Sequence, residues 1–414
     1  MTKISSKIKP QKWMQSEFLK QVISALGEAR LVGGCVRDSL LGRKIKDVDI
    51  ATPNQPEKVM ALLKKKGIKV IPTGLKHGTI TAVRDKELFE ITTLRKDIDC
   101  DGRHATVEYT SDWQEDAARR DFTINAMFMD LSGEVYDYFG GIDDLKKGII
   151  RFVGDPYARV QEDYLRILRY FRFEVNYGSH AIDKESLSAC IKYREKIDNL
   201  SGERIQIEML KLLSAKDPHR VLNIMKEEGI LACVIPGSDE KLDLDAIKHL
   251  VNIEKEEGSL IPSEDSIIRL ALLIQKGKKQ VIELCERWKL SNVHKKQLLD
   301  LIEPLMEINS RTNEKDYKRY LTKLGKEDFI KQLLFLWAKD ERNDHIMQCK
   351  SMLAMANTWK IPVFPIGGKD ILALGVKPGE RVGDLLERAY IIWEKSDYAL
   401  TKKQLMEIIK KDLD

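Results

Sequence analysis

Gly33-Gly34, Arg37, Asp47 and Asp49 fall within one stretch, LVGGCVRDSLLGRKIKDVDIAT, from Leu31 to Thr52. Two carboxylates one residue apart on a strand share a face, and held that close they repel. A divalent cation removes the repulsion, and Mg²⁺ is satisfied by one or two carboxylates together with substrate phosphates. Paired glycines let backbone N–H groups approach a phosphate with no Cβ in the way. Arg37 then stands within reach of the same phosphates. Either feature alone is ordinary, since Asp-X-Asp occurs at solvated strand edges and Gly-Gly in turns. Together, with Arg37 between them, they read as a site for a metal and a triphosphate. Glu90, alternating with the apolar Phe89 and Ile91, is a candidate third acid.

Two further blocks carry chemistry. RRDFTINAM (Arg119 to Met127) reads bare as a charged turn leading into a capped helix. DPYARVQEDYLRILRYFRF (Asp155 to Phe173) reads as one helix. It would carry Glu162, Arg166 and Arg169 on one face, Asp163 and Arg172 alongside, and an apolar stripe of Leu165, Leu168 and Phe171 turned inward.

These residues must be positioned by the elements around them. Up to residue 153 helical and strand patterns alternate. A helical run from Ser16 to Ala29 leads into LVGG, and a strand passes through Val48 to Ala51. A helix from Pro56 to Lys66 starts with proline in the favoured first position. GTITAVRD and ELFEITTL alternate with period two around a polar turn at Asp85, which predicts a hairpin. Leu94 to Trp113 is polar, carries Gly102 and has no apolar period until Val107, so it reads as a mobile surface loop. From Asp155 onward apolar residues recur every three or four positions, as in RIQIEMLKLL, and the rest reads as nearly all helix. Breaks are expected at Ser201-Gly202, Pro236-Gly237, Gly258 to Pro262 and Ile361 to Gly368. Ser201 with Glu203 and Arg204 resembles a capping box.

The 414 residues are too many for one compact core, and 43% hydrophobic with 33% charged residues fits a soluble globular chain. The six cysteines are scattered with no Cys-X-X-Cys pair, which excludes a disulfide framework and a structural zinc site. No stretch is long and apolar enough to cross a bilayer, so no membrane partner is expected. The N-terminus lacks the apolar region of a signal peptide, and the protein is expected in the cytoplasm. A net charge of +5 is compatible with a nucleic-acid partner without demanding one.

The segment GGCVRDSLLGRKIKDVDIAT resembles the nucleotidyltransferase signature of the DNA polymerase β superfamily. More narrowly it resembles class II tRNA nucleotidyltransferases and bacterial poly(A) polymerases. The resemblance implies that Asp47 and Asp49 are catalytic acids that bind Mg²⁺; Glu90, from its own alternation, is the candidate third catalytic acid. It implies that Gly33, Gly34 and Arg37 contact the nucleotide, and that Arg120, Asp121 and Asn125 recognise its ribose. It further implies that Asp163 and Arg166 act as a protein template for CTP and ATP, with Arg169 and Arg172 as helix arginines near the nucleotide. The chemistry is consistent. A carboxylate accepts from the exocyclic amino group of cytosine or adenine, whereas uracil and guanine present a carbonyl there and leave buried groups unpaired.

The expected fold is α+β, a polymerase β-like nucleotidyltransferase head followed by an all-helical neck, body and tail. The expected domains are a catalytic head (1–153), a neck with the template helix (154–215), and a body and tail that bind tRNA at its acceptor end and elbow (216–414). The expected activity is addition of C, C and A to the tRNA 3′ end without a nucleic-acid template. The alternatives are an A-adding enzyme, a poly(A) polymerase, or an RNA-binding protein with an inactive head. The polar segment at Leu94 to Trp113 occupies the place of the family's flexible loop, which argues against CC-only addition. Gly375, Pro378-Gly379 and Gly383 are expected ahead of a C-terminal helix, where their N–H groups could meet RNA phosphate.

Overall fold

The computed structural model describes residues 5–413 except 76–77, 101–104, 180, 239–241, 243, 263 and 275. The chain divides into two compact units, 1–242 with 283–290, and 243–282 with 291–414.

The first unit is built on an eight-stranded sheet. Its strands are β1 (Ser6–Lys7), β2 (Arg30–Val32), β3 (Asp49–Thr52), β4 (Lys69–Gly74), β5 (Thr79–Arg84), β6 (Glu87–Thr93), β9 (Met127–Met129) and β10 (Glu134–Asp137). They run in the order β1-β10-β9-β2-β3-β6-β5-β4. Every neighbouring pair is antiparallel except β3 with β6. The hairpin β5–β6 forms as its alternation requires, and its turn residue Asp85 adopts φ +51°, a conformation that Asp tolerates better than most residues. The helices α1 (Glu17–Leu26), α2 (Gly34–Leu40) and α3 (Pro56–Lys65) interrupt the strands. Ser16 caps α1 by accepting from the Leu19 N–H at 3.2 Å, and Pro56 opens α3. Leu31, Val32, Ile50, Ile80, Ile91 and Phe128 are at most 2% exposed, and because Leu31 and Val32 are adjacent on β2 the sheet is buried on both faces there.

The segment expected as a surface loop is instead a second, two-stranded sheet, β7 (Arg95–Cys100) with β8 (Ala105–Tyr109). Its register pairs Arg95 with Tyr109 and Lys96 with Glu108, and slips between Asp97 and Asp99. The missing apolar period has a physical reason. Lys96 and Glu108 pair across the two strands at 2.8 Å, a charge pair where an apolar pair could otherwise stand. Residues 101–104 of the expected loop, Gly102 among them, lie outside the described residues.

Beyond the sheet come α4 (Trp113–Ala118), α5 (Gly141–Lys147), α6 (Pro156–Glu162), α7 (Leu165–Tyr177), α8 (Lys184–Lys192) and α9 (Gly202–Leu213). The block from Asp155 to Phe173 is therefore two helices, not one. Asp163 is extended between them (φ −156°, ψ 107°), and its Oδ1 accepts from the Leu165 N–H at 3.1 Å, which starts α7 afresh. Leu165, Leu168 and Phe171 are buried, as their spacing predicts. At α9 the capping box is not made: Ser201 occupies the cap position without a side-chain bond. The third helical position is Arg204, which can only donate, and its guanidinium goes to Asp163.

Glu174 on α7 is only 2% exposed. Burial raises its carboxyl to about 7, against the pull of Arg220, whose Nη2 lies 3.3 Å from Oε2. A carboxyl raised on folding binds protons more tightly in the native state. The native state therefore loses stability as pH climbs from about 4.5 to about 7, by up to roughly 3 kcal/mol, and no further above that. Glu174→Gln should remove this part of the pH dependence. Urea midpoints at pH 5 and pH 8 should then differ less for the variant than for the parent. Identical differences would discard Glu174 as the source.

Among its described residues the regular elements of the second unit are all helices. Its C-terminal part packs Ile366, Ile371, Leu385, Ala389, Trp393, Leu405 and Ile409 into one cluster. Helix Glu380–Lys395 follows Gly379, so Gly383 lies inside that helix rather than ahead of it. The expected helix breaks at 201–202, 236–237, 258–262 and 361–368 are all present. Cys35, Cys190, Cys233, Cys285 and Cys349 are free thiols. Among the described residues no helix is long and apolar enough to cross a membrane.

Candidate active site

Antiparallel pairing of Val32 with Asp49 brings the end of β2 beside the start of β3. At that point the chain must leave the sheet sharply, and Gly33 does so at φ +72°, a conformation that costs a residue with a Cβ roughly 1–2 kcal/mol. The Gly33 N–H remains tied to Met127 O at 3.3 Å, and α2 begins at Gly34. Because β2 has turned away, the residues before Asp49 have no ladder partner there. Asp47 therefore precedes the strand, rather than lying on it as expected, and is exposed, while its charge still acts on Asp49. The carboxylate in register with Asp49 is Glu90, its parallel neighbour on β6. Burial raises the Asp49 carboxyl above its ordinary value, Glu90 and Asp47 add repulsion, and only Arg120 opposes them.

Asp49 opens into a cavity of about 480 Å³. Ten of the thirteen candidate residues line it: Gly33, Gly34, Arg37, Asp49, Arg120, Asp121, Asn125, Asp163, Arg166 and Arg169. Asp47, Glu90 and Arg172 do not. The wall also contains Arg119, Leu165, Phe173 and Arg204, none of them a candidate site residue from the sequence. Arg119 could have been suspected from its adjacency to Arg120, and Phe173 from its place one helical turn beyond Arg169. Arg204 had no local signal, since it reaches the cavity through a contact 41 positions away.

The charged groups are interlocked. Arg37 donates Nε and Nη2 to Asp38 at 2.9 and 3.0 Å and Nη1 to Asn125 Oδ1 at 2.6 Å, and lies 4.0 Å from the Tyr177 ring centroid. Asn125 in turn donates to Asp121 at 3.0 Å. Burial alone would raise Asp121, but Arg169, whose Nε stands 3.0 Å away, and the Asn125 amide bring it down to about 2. Asp163 Oδ2 accepts from Arg204 Nη2 at 2.6 Å. Arg166 donates to Arg159 O at 2.7 Å and pairs with Glu162. Arg172 pairs with Glu208 outside the cavity wall.

Six arginines and three aspartates share the wall. That surplus of positive charge suits an anionic ligand. Among the described residues no three His, Cys, Asp or Glu side chains converge as a metal cage. The donors near Asp49 match a cation that completes its shell with ligand phosphate oxygens, and the repulsion on Asp49 is what such a cation relieves.

Residues 29–151 match the model of the Poly A polymerase head domain, and residues 181–242 match the model of the probable RNA and SrmB-binding site of polymerase A. The mitochondrial CCA tRNA nucleotidyltransferase 1 of Danio rerio is 36% identical over 392 residues, 92% of this chain and 87% of that protein. A CCA-adding enzyme of Lactobacillus delbrueckii subsp. bulgaricus is 32% identical over 377 residues, 90% of each chain. The crystal structure of the Bacillus stearothermophilus CCA-adding enzyme in complex with CTP superposes with a TM-score of 0.75 at 27% identity, covering 97% of this chain and 98% of that one.

Proposed function

The chain belongs to the CCA tRNA nucleotidyltransferase family, and from that membership we propose that it adds C, C and A in turn to the 3′ end of tRNA from CTP and ATP, releasing pyrophosphate. One observation carries the reading. Residues from three separated segments, Gly33 to Asp49, Arg119 to Asn125 and Asp163 to Arg169, line a single arginine-rich cavity of nucleotide size.

Within that cavity each group has a distinct task. Gly33, Gly34 and Arg37 hold the triphosphate. Arg120, Asp121 and Asn125 hold the ribose; Asp121, ionised down to about pH 2, is a fixed acceptor for a hydroxyl. Asp163 accepts from the amino group of cytosine or adenine, and Arg166 donates to the neighbouring ring acceptor. Arg169 and Arg172 brace Asp121 and the template helix through Asp121 and Glu208. Asp47 and Asp49, with Glu90 beside them, would hold Mg²⁺, which when bound activates the RNA 3′-hydroxyl and stabilises the leaving pyrophosphate. The helical body and tail take the tRNA acceptor end and elbow, and the cytoplasm is the location that accords with this role.

The test is end-sequencing of a tRNA transcript lacking CCA after incubation with CTP and ATP, singly and together. A CCA end from the mixture and CC from CTP alone support the reading. A single A added only to transcripts already ending in CC makes the protein A-adding, and long A tails make it a poly(A) polymerase. Deleting residues 97–106, the outer part of the β7–β8 ribbon, should lower A addition by roughly tenfold or more relative to C addition. Equal losses of both would deny the ribbon a part in changing the base accepted.

A further inference from the structure

Asp116, in α4, is 1% exposed and is not part of the cavity wall. Its two oxygens take donors from two sides. Oδ1 accepts from the backbone N–H of Arg95, the first residue of β7, at 3.2 Å, and from Arg119 Nε at 2.8 Å. Oδ2 accepts from Arg120 Nη2 at 2.9 Å and Nε at 3.2 Å. Burial would raise this carboxyl, but Arg120 and Arg119 outweigh it and keep it ionised. Burial also pushes the Arg119 guanidinium down to about 10, with Arg120 and Arg95 adding repulsion. One carboxylate therefore sits among three arginines, and the surplus positive charge of Arg119 and Arg120 faces the cavity.

The same carboxylate anchors the ribbon. Next to Arg95, the Leu94 N–H donates to Thr52 O at 2.8 Å, and the Thr110 N–H donates to Leu94 O at 3.0 Å. The root of β7–β8 is thus fixed to the end of β3 on one side and to Asp116 on the other. We propose that Asp116 is a positioning residue that couples the root of the β7–β8 ribbon to the two guanidiniums facing the nucleotide. An anion that engages Arg119 and Arg120 competes with Asp116 for their donors, and the carboxylate's remaining capacity goes to the Arg95 N–H. Such coupling is reciprocal: whatever moves the ribbon root changes how firmly the guanidiniums are held. The inference rests on the reading that this cavity binds a nucleoside triphosphate.

The experiment is amide hydrogen exchange on the full chain with saturating CTP and Mg²⁺ and no RNA, so that no transfer occurs. In the parent, CTP should slow exchange in two places, the segment around Gly33 to Arg37 and the ribbon root at Leu94, Arg95 and Thr110. In Asp116→Asn, CTP raised to saturation should still protect the first segment and leave the root unchanged. The KM for CTP should rise about tenfold, the loss of one charge-assisted bond. A root that stays responsive in Asp116→Asn overturns the coupling, as does a parent in which the cavity responds and the root does not. If CTP protects neither segment of the parent, the nucleotide reading itself fails and takes the coupling with it. Should Asp116→Asn not fold, Arg119→Met carries the test. It leaves the carboxylate under Arg95 and Arg120, and root protection should weaken; an undiminished response would overturn the proposal.

Discussion

Asp49→Asn should lower kcat for nucleotide addition by about a thousandfold or more, while tRNA affinity stays within about twofold. A carboxylate that holds catalytic metal supplies several kcal/mol of transition-state stabilisation, and each 1.36 kcal/mol is a factor of ten. The substitution keeps the size of the side chain at the first position of β3, so the pairing with Val32 and Glu90 survives. It also removes a carboxylate whose ionisation is opposed by burial and by Glu90. The folded state should therefore be no less stable, and a small rise in Tm is expected alongside the loss of activity. That divergence separates catalysis from folding. Single-turnover extension of a tRNA transcript, with filter binding in parallel, makes the measurement. Activity within tenfold of the parent would remove Asp49 from the catalytic acids.

Asp163→Ala should relax the choice of base. Rejecting a base whose polar groups cannot pair in a buried site accounts for roughly a thousandfold discrimination, and most of it should disappear. The local geometry calls for a companion variant, because Asp163 also starts α7 through the Leu165 N–H and holds Arg204. Asp163→Asn retains an oxygen for that cap while presenting an N–H₂ where the second carboxylate oxygen stood. Incorporation of UTP against CTP, measured for both variants, should shift toward UTP. Unchanged selectivity in both would deny Asp163 the template role, whatever became of the overall rate.

The head was largely legible because its signals are local. The alternation in GTITAVRD and ELFEITTL gave β5–β6, and Pro56 gave the start of α3. Ten candidate residues meet in one cavity; the glycine turn and the arginines of α7 carry chemistry visible within a few positions, whereas Arg120, Asp121 and Asn125, in a block that reads bare as a charged turn, are reached only through the family resemblance. What escaped was set by pairing across distance. Asp47 lost its strand because β2 turns away at Gly33, which nothing in the Asp-X-Asp spacing announces. The β7–β8 ribbon pairs Lys96 with Glu108 across its strands, a contact that leaves no apolar period to read. The break at Asp163 comes from a single side chain capping its own successor. Arg204 and Asp116 make their contacts with residues 41 and 21 positions away, beyond any helical or strand period.

The single parallel pairing in the sheet has a consequence for how the protein is made. Asp49 and Glu90 meet only because β3 and β6 lie side by side, and the chain between them must first complete α3, β4 and the β5–β6 hairpin. Hairpin β5–β6 is a local closure, whereas β3–β6 joins distant residues and bears a larger chain-entropy cost. A growing chain that has emerged only as far as β3 carries the glycine turn, Asp47 and Asp49 but not Glu90. The pairing of Asp49 with Glu90 comes into being with the closing of the sheet, so an incomplete head holds the acids without the neighbour that completes them.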